Sequence, residues 1–268
     1  MPSISFMTAN FVARELGWRM PDWSAGDRSV NVAFSPIETY RERFAALLDE
    51  VVDLGFSQID LWEGHLSPRW ATAEHIAIAT ELMGDRGLTV ASLAGWFGTE
   101  RHELEASCRL ANAVGAPLLG GRSRLLETDR PAMAALMERH DLRFALENHP
   151  ERSADEVLQQ IGEATDGGRI GATVDTGWFT TQGYDAALAI RELGARVLHV
   201  HLKDVAQAEP PHVTTPFGAG VVPLRRCVES LIEIGYDGAI SIEDEPEDRD
   251  PRPDVRRARA LLEEWIAA

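Results

Sequence analysis

Apolar positions along the chain recur in two alternating rhythms. Ile37, Tyr40, Phe44, Leu47, Leu48, Val51 and Leu54 fall at the three-and-four spacing of one helical face. Ser35 and Glu38 have the spacing of a capping box, with Pro36 at the first helical position. Gly55 follows as a C-cap, where a left-handed residue is best tolerated without a Cβ. The apolar run FSQIDLW then reads as a strand. The same helix, polar stop and apolar run return at ELMGDRGLTVASL, LANAVGAPLLG, LMERHDLRFALEN, IGEATDGGRIGATVD, IRELGARVLHVHL and LIEIGYDGAISIED. SISFMTA adds an opening strand, and DVRRARALLEEWIAA a closing helix.

Eight strands alternating with helices imply βαβ units, a parallel sheet and right-handed crossovers. The expected fold is a (β/α)8 TIM barrel, one domain over residues 1–268. A doubly wound open sheet is the alternative, but no G-x-G-x-x-G turn follows the first strand. Two connections on the strand-to-helix side are long. Residues 9–34 carry Trp18, Trp23 and Phe34, and residues 205–222 carry Gly218 and Gly220. Both read as loops, either lids or mobile surface.

Composition narrows the function. The length of 268 residues and 44% hydrophobic content suit one barrel with a large core. The net charge of −17 argues against nucleic acid, whose binders need a basic face. Cys108 and Cys227 sit on apolar helix faces, so neither a disulfide framework nor a cysteine zinc site is expected. MPSISFMTANF lacks a signal pattern, and no 18-residue apolar stretch suggests a membrane span. A cytoplasmic enzyme with a small-molecule partner is the default, and a homo-oligomer is compatible with it.

Chemistry gathers where strands end. RFALENH ends with Glu147 and His149, RIGATVD with Asp175, and GAISIEDE with Glu243, while RVLHVHLKD carries His199, His201, Lys203 and Asp204. In a parallel barrel these ends share one mouth. Carboxylates crowded there raise one another's pKa unless a cation lies among them. Glu147, Asp175, His201 and Glu243 therefore read as a metal site. Its oxygen-rich shell suits Mn²⁺ or Mg²⁺, and zinc or cobalt is compatible. Taken singly, each acid is also a natural helix N-cap or ion-pair partner.

Other residues carry paired readings. His199 and His201 share one side of a strand, and His201, nearer the mouth, is the expected ligand, with His199 packed below. Lys203 polarises a substrate oxygen or pairs with Glu243. His149 is a proton shuttle or a supporting histidine. Glu63 and His65 are placed at the mouth for sugar hydroxyls, or make loop hydrogen bonds. Trp62, Trp96 and Phe97 are barrel packing or an aromatic wall for a sugar ring. Arg122 and Arg124 bind an anion, or form surface salt bridges.

ALENHP, GATVDTGWF, HVHLKDV, FGAGVVPL and GYDGAISIEDEP resemble segments of the sugar phosphate isomerase/epimerase superfamily, the xylose isomerase-like barrels. The resemblance spans nearly the whole chain. It implies the same metal set, Glu147, Asp175, His201 and Glu243, with the two glutamates as the acid–base pair. One departure stands out: the family often places a substrate-contacting histidine three residues after the aspartate, where this chain has Trp178.

The expected activity is a divalent-metal-dependent isomerase or epimerase acting on a ketose or related keto-sugar. A proton is removed beside the carbonyl, and the metal stabilises the resulting enediolate. The alternative is a lyase or dehydratase on a keto-inositol or 3-keto-glycoside, with His149 or Lys203 assisting the leaving group. Remoter alternatives are an apurinic-site endonuclease, which needs a basic groove, and a non-catalytic sugar-binding barrel, suggested by Trp178.

Overall fold

In the computed structural model, which describes residues 1–164 and 166–268, the apolar runs pair side by side in parallel and close on themselves. The barrel strands are β1 (Ser3–Met7), β2 (Gln58–Trp62), β3 (Thr89–Trp96), β4 (Leu118–Arg122), β5 (Arg143–Glu147), β6 (Ile170–Asp175) and β7 (Val197–Leu202). A short antiparallel pair, β8 (Asp204–Val205) and β9 (Thr214–Thr215), stands outside the barrel. The last barrel strand, β10 (Ala239–Ile242), pairs with both β7 and β1. Closure leaves no unpaired barrel edge and excludes the open doubly wound sheet.

The helices bury apolar stripes against this cylinder. On α1 (Trp23–Phe34) the buried positions are Gly26, Val30 and Phe34, and on α2 (Ile37–Asp53) they are Tyr40, Phe44, Leu47, Leu48 and Val51. Gly55 stops α2 with φ 91°, the left-handed conformation its sequence position implies. Cys108 and Cys227 are free and buried. No helix among the described residues is long and apolar enough to cross a membrane.

Two local expectations are corrected. Ser35 and Glu38 do not form a capping box: α2 begins after Pro36 without a side-chain cap. Ser35 is still helical (φ −71°, ψ −26°) and terminates α1, so its hydroxyl is not placed to cap the next helix. Residues 9–34 are likewise not one loop. They contain two 3-10 turns and α1, which Asp22 caps by accepting from the Ala25 amide at 2.8 Å. Gly, Ser, Asn and Val dilute helix propensity in α1, and its stripe is only one residue wide per turn.

Residues 205–222 are folded down by a single carboxylate. Asp204 Oδ2 accepts from the Gly218 and Gly220 amides at 2.9 and 3.1 Å. Its Oδ1 accepts from the Val205 and Val222 amides at 2.9 and 3.1 Å. A Cβ at Gly220 would collide with the Val205 carbonyl and the Asp204 carboxylate, so this close approach needs glycine. Asp204 is buried, and removing its side chain leaves backbone amides without partners. Asp204→Ala should lower unfolding stability in urea by about 2–4 kcal/mol, and Asp204→Asn by less, since its amide oxygen still accepts. A loss within about 0.5 kcal/mol, typical of ordinary surface changes, would mean that the carboxylate does not hold this segment.

Candidate metal centre

The inside of the barrel is not wholly apolar. Ser5, Asp60, Ser92, Thr173, His199 and Ser241 are all fully or almost fully buried on its strands. Asp60 Oδ2 makes a very close contact with His199 Nε2, and Ser5 Oγ lies 3.4 Å from Asp60 Oδ1. This polar floor lies beneath His201, whose Nε2 is 3.3 Å from the same Asp60 oxygen.

Above the floor, three backbone clamps fix the ends of strands that carry the candidate site. Asn148 donates to the Asp175 carbonyl at 2.9 Å and accepts from its amide at 2.7 Å, fixing the end of β6. Asn10 does the same for β10, donating to the Ile242 carbonyl at 3.0 Å and accepting from the Asp244 amide at 2.7 Å. Thr176 Oγ1 lies 2.8 Å from the Lys203 carbonyl and 2.9 Å from its amide, holding the residue just past β7. Register completes the arrangement: His201 pairs laterally with Asp175 on one side and Ser241 on the other.

Ligand atoms of Glu147, Asp175, His201 and Glu243 all lie within 4.8 Å of one another. His201 Nδ1 is 2.7 Å from Glu147 Oε1 and 3.1 Å from Glu243 Oε2. Asp175 serves two ends. Its Oδ1 accepts from the Trp178 amide at 3.0 Å, capping α8 (Thr176–Thr181), while its Oδ2 is buried without a hydrogen-bond partner. Glu243 Oε1 meets Lys203 Nζ at 2.8 Å, and its Oε2 lacks a well-formed hydrogen bond. Lys203 Nζ also reaches Glu245 at 3.1 Å and Asp175 at 3.5 Å.

The charges do not balance without a further cation. Burial raises the Asp175 carboxyl to about 7 and the Glu245 carboxyl to about 8, although Lys203 opposes both shifts. Burial would also raise Glu243, but Lys203 and His201 outweigh it and hold that carboxyl low. Carboxylates that protonate for want of positive charge, with unpartnered oxygens turned to one point, are what a divalent ion satisfies. A second group, Asp60, His199 and His201, also has metal-ligand spacing. Asp60 and His199 already contact each other closely, and only His201 Nε2 lacks a well-formed hydrogen bond there, whereas the upper group holds free oxygens on both Asp175 and Glu243. The upper group fits the cation better.

A cavity of about 880 Å³ opens over this cluster, lined by Glu147, His201, Lys203, Glu243 and Glu245 and walled by Trp23, Trp62, Trp96 and Trp178. His149 lies in the wall, its ring edge-on to Trp178 at 4.1 Å. Arg122 also lines it, but its Nη1 is engaged by Glu151 at 2.9 Å and the Glu147 carbonyl at 3.2 Å. Arg124 precedes the short helix α5 (Leu125–Thr128), and Phe97 is core.

Glu63 and His65 are not among the cavity-lining residues. Glu63 accepts from the Trp96 amide at 3.0 Å and pairs with Arg69, and burial pushes its carboxyl up to about 7. His65 Nδ1 lies 3.2 Å from Thr8 Oγ1, its ring packs on Phe34 and Trp62, and burial lowers its pKa to about 3. Asp60, in the polar floor, and Glu245 and His212, in the cavity lining, are residues that strand ends alone do not mark. Period-two alternation inside FSQIDLW marks Asp60, and the position two beyond Glu243 marks Glu245. His212 lies far from any barrel strand end and carries no such signal.

Residues 48–265 match the model of the xylose isomerase-like TIM barrel family. The chain belongs to that family. Over 138 residues it is 31% identical to MJ1311, an uncharacterized protein of Methanocaldococcus jannaschii, covering 49% of this chain and 45% of that one. The chain thus spans about half the length of that relative. Among solved structures, it resembles an L-ribulose 3-epimerase with a TM-score of 0.70 at 16% identity, covering 100% of this chain and 95% of the other. It also resembles the probable 3-DHS dehydratase AsbF of Bacillus anthracis, with a TM-score of 0.67 at 13% identity and coverage of 97% and 98%. At such identities these two likenesses establish the shared fold of the xylose isomerase-like barrels.

Two outcomes follow for the metal centre. Burial would lower the His201 pKa, but Glu243 and Glu147 outweigh it and hold the imidazole protonated well above its usual range. A cation at Nδ1 must displace that proton, so metal uptake should release protons and tighten as pH rises from about 5 to 8. Calorimetry in buffers of different ionisation enthalpy measures the release; pH-independent uptake would remove His201 from the ligand set. Asp60→Asn removes the charge that holds His201 Nε2 and should weaken metal binding about 10–100-fold. Unchanged affinity in a folded Asp60→Asn protein would show that the floor does not orient the ligand.

Proposed function

We propose that the protein is a divalent-metal-dependent isomerase or epimerase that moves a proton beside the carbonyl of a ketose-type sugar. The observation that carries this reading is that Glu147 and Glu243, from strands on either side of His201, meet its Nδ1 at 2.7 and 3.1 Å beneath one cavity. Two carboxylates facing a common point can take a proton from one carbon and return it to another position or face.

Glu147, Asp175, His201 and Glu243 would hold the cation, which supplies Lewis-acid stabilisation of charge developing on a substrate oxygen. Lys203 holds Glu243 in its ionised, proton-accepting form through Oε1, and the same ion pair moderates its basicity. The Lys203 ammonium itself is held charged by Glu243, Glu245 and Asp175 against the opposing effect of burial, so it acts as a hydrogen-bond donor and not as a base. The tryptophan walls offer apolar faces to a sugar ring and limit water around the reacting carbon.

A lyase or dehydratase reading draws on the same Lys203. A buried ammonium in the cavity is placed to assist a departing hydroxyl or alkoxide. The resemblance to a probable dehydratase keeps this reading in view.

A metal-supplemented panel of free, phosphorylated and keto sugars followed by NMR in D₂O separates these readings. Deuterium entry with an isomeric product supports the isomerase, water loss supports the lyase, and binding without either supports a non-catalytic sugar-binding barrel. On a sugar that exchanges, Glu243→Gln should keep most metal affinity, because one coordinating oxygen remains. Exchange should fall by about 10²–10⁴-fold through loss of acid–base function. Near-normal exchange in that variant would shift the base to His149.

A further inference from the structure

The segment from β8 through β9 brings polar groups to the cavity that the candidate metal centre does not use. His212 Nε2 and Thr215 Oγ1 are both buried without a hydrogen-bond partner, and both residues line the cavity beside Lys203 and Glu243. An unsatisfied buried polar group costs about 1–3 kcal/mol, a cost removed when a ligand supplies the partner.

His212 is held in place on two sides. Its Nδ1 lies 2.8 Å from Thr181 Oγ1, which leaves Nε2 as the free nitrogen. Its ring lies parallel on Trp178, with centroids 4.0 Å apart and planes 7° apart. Burial and the nearby Lys203 lower its pKa to about 3, so the ring is neutral at ordinary pH. A neutral imidazole and a threonine hydroxyl each donate or accept according to rotor and tautomer, as a sugar hydroxyl does. The Asp204 clasp fixes the loop that presents them.

We propose that His212 Nε2 and Thr215 Oγ1 form a subsite for hydroxyl groups of a ketose-type substrate, with His212 a specificity-determining residue. The proposal rests on reading the cavity as a ketose site. Trp178 is then the platform that sets the imidazole's plane, and the sugar lies between this arm and the metal-binding carboxylates.

The test uses the full-length Mg²⁺-loaded protein and a panel of free ketohexoses, with dissociation constants from ligand-observed NMR and deuterium exchange followed in parallel. His212→Phe keeps an aromatic ring on Trp178 but removes Nε2. His212→Gln restores a nitrogen near that position. Binding should weaken about 10-fold in His212→Phe, as loss of roughly one hydrogen bond implies. His212→Gln should recover most of it. Metal affinity should stay at the wild-type value in both, while the melting temperature of His212→Phe falls modestly with the lost Thr181 contact; weakened sugar binding at unchanged metal affinity is an outcome that a packing role alone would not give. Wild-type binding in His212→Phe, or a loss matched by an equal loss of metal affinity, would overturn the subsite while leaving the isomerase reading intact. If the wild-type protein bound none of the panel, the ketose reading and this subsite would fall together.

Discussion

The site depends on one imidazole held at both edges. His201 meets Asp60 below through Nε2, and Glu147 and Glu243 above through Nδ1. Each contact needs a different strand, so the ring position is a product of barrel closure. A slip of one residue between β6 and β7 would turn His201 or Asp175 to the other side of the wall. The polar floor makes the same demand: Asp60 and His199 are buried inside the cylinder and tolerable there because they pair with each other. Fold and site are in this sense one constraint, since the polar contacts that satisfy the interior also set the position of the His201 imidazole.

Charge is distributed unevenly around that imidazole. Glu147, Asp175, Glu243 and Glu245 gather about Lys203 and His201, and burial strengthens every unbalanced term. Lys203 resolves part of the imbalance by engaging Glu243, Glu245 and Asp175, but two of these carboxyls still lie far above their usual range. A bound cation would meet the remaining deficit of positive charge. It also divides labour between near neighbours. Glu243 presents one oxygen to Lys203 and the other to the cluster, whereas Glu245 is spent on Lys203.

Much of this was readable in the chain before folding. Helix-to-strand junctions ending in glycine or a polar turn fixed the barrel, because each apolar run had to find two neighbours. Strand-end acids at Glu147, Asp175 and Glu243 stood out against the apolar runs before them. What escaped notice did so for physical reasons. Asp60 lies within a strand, where an acid looks like a solvent-facing alternation unless the barrel interior is known to be polar. The clamps of Asn10 and Asn148 act on backbone atoms and leave no periodic trace. Glu63 and His65 follow a strand end as the clustered acids do, yet the chain turns back there, and Arg69 and Thr8 claim their polar atoms. His212 depends on a long connection whose path is set by Asp204, a contact no local pattern announces.

The two readings of a charged strand end, helix cap and metal ligand, are compatible at Asp175. Asp175 uses one oxygen to hold the amide of Trp178 and leaves the other free in the cluster. The cap fixes the carboxylate plane, so the free oxygen is aimed before any cation arrives, and little side-chain freedom remains to be lost on binding. Since the same bond anchors the start of α8, it also sets the backbone of Trp178, on whose ring His212 lies. A change at Asp175 would therefore reach the carboxylate cluster through one oxygen and the cavity wall through the other. The economy of a bidentate group at a strand end ties the position of the free oxygen to the shape of the pocket that surrounds it.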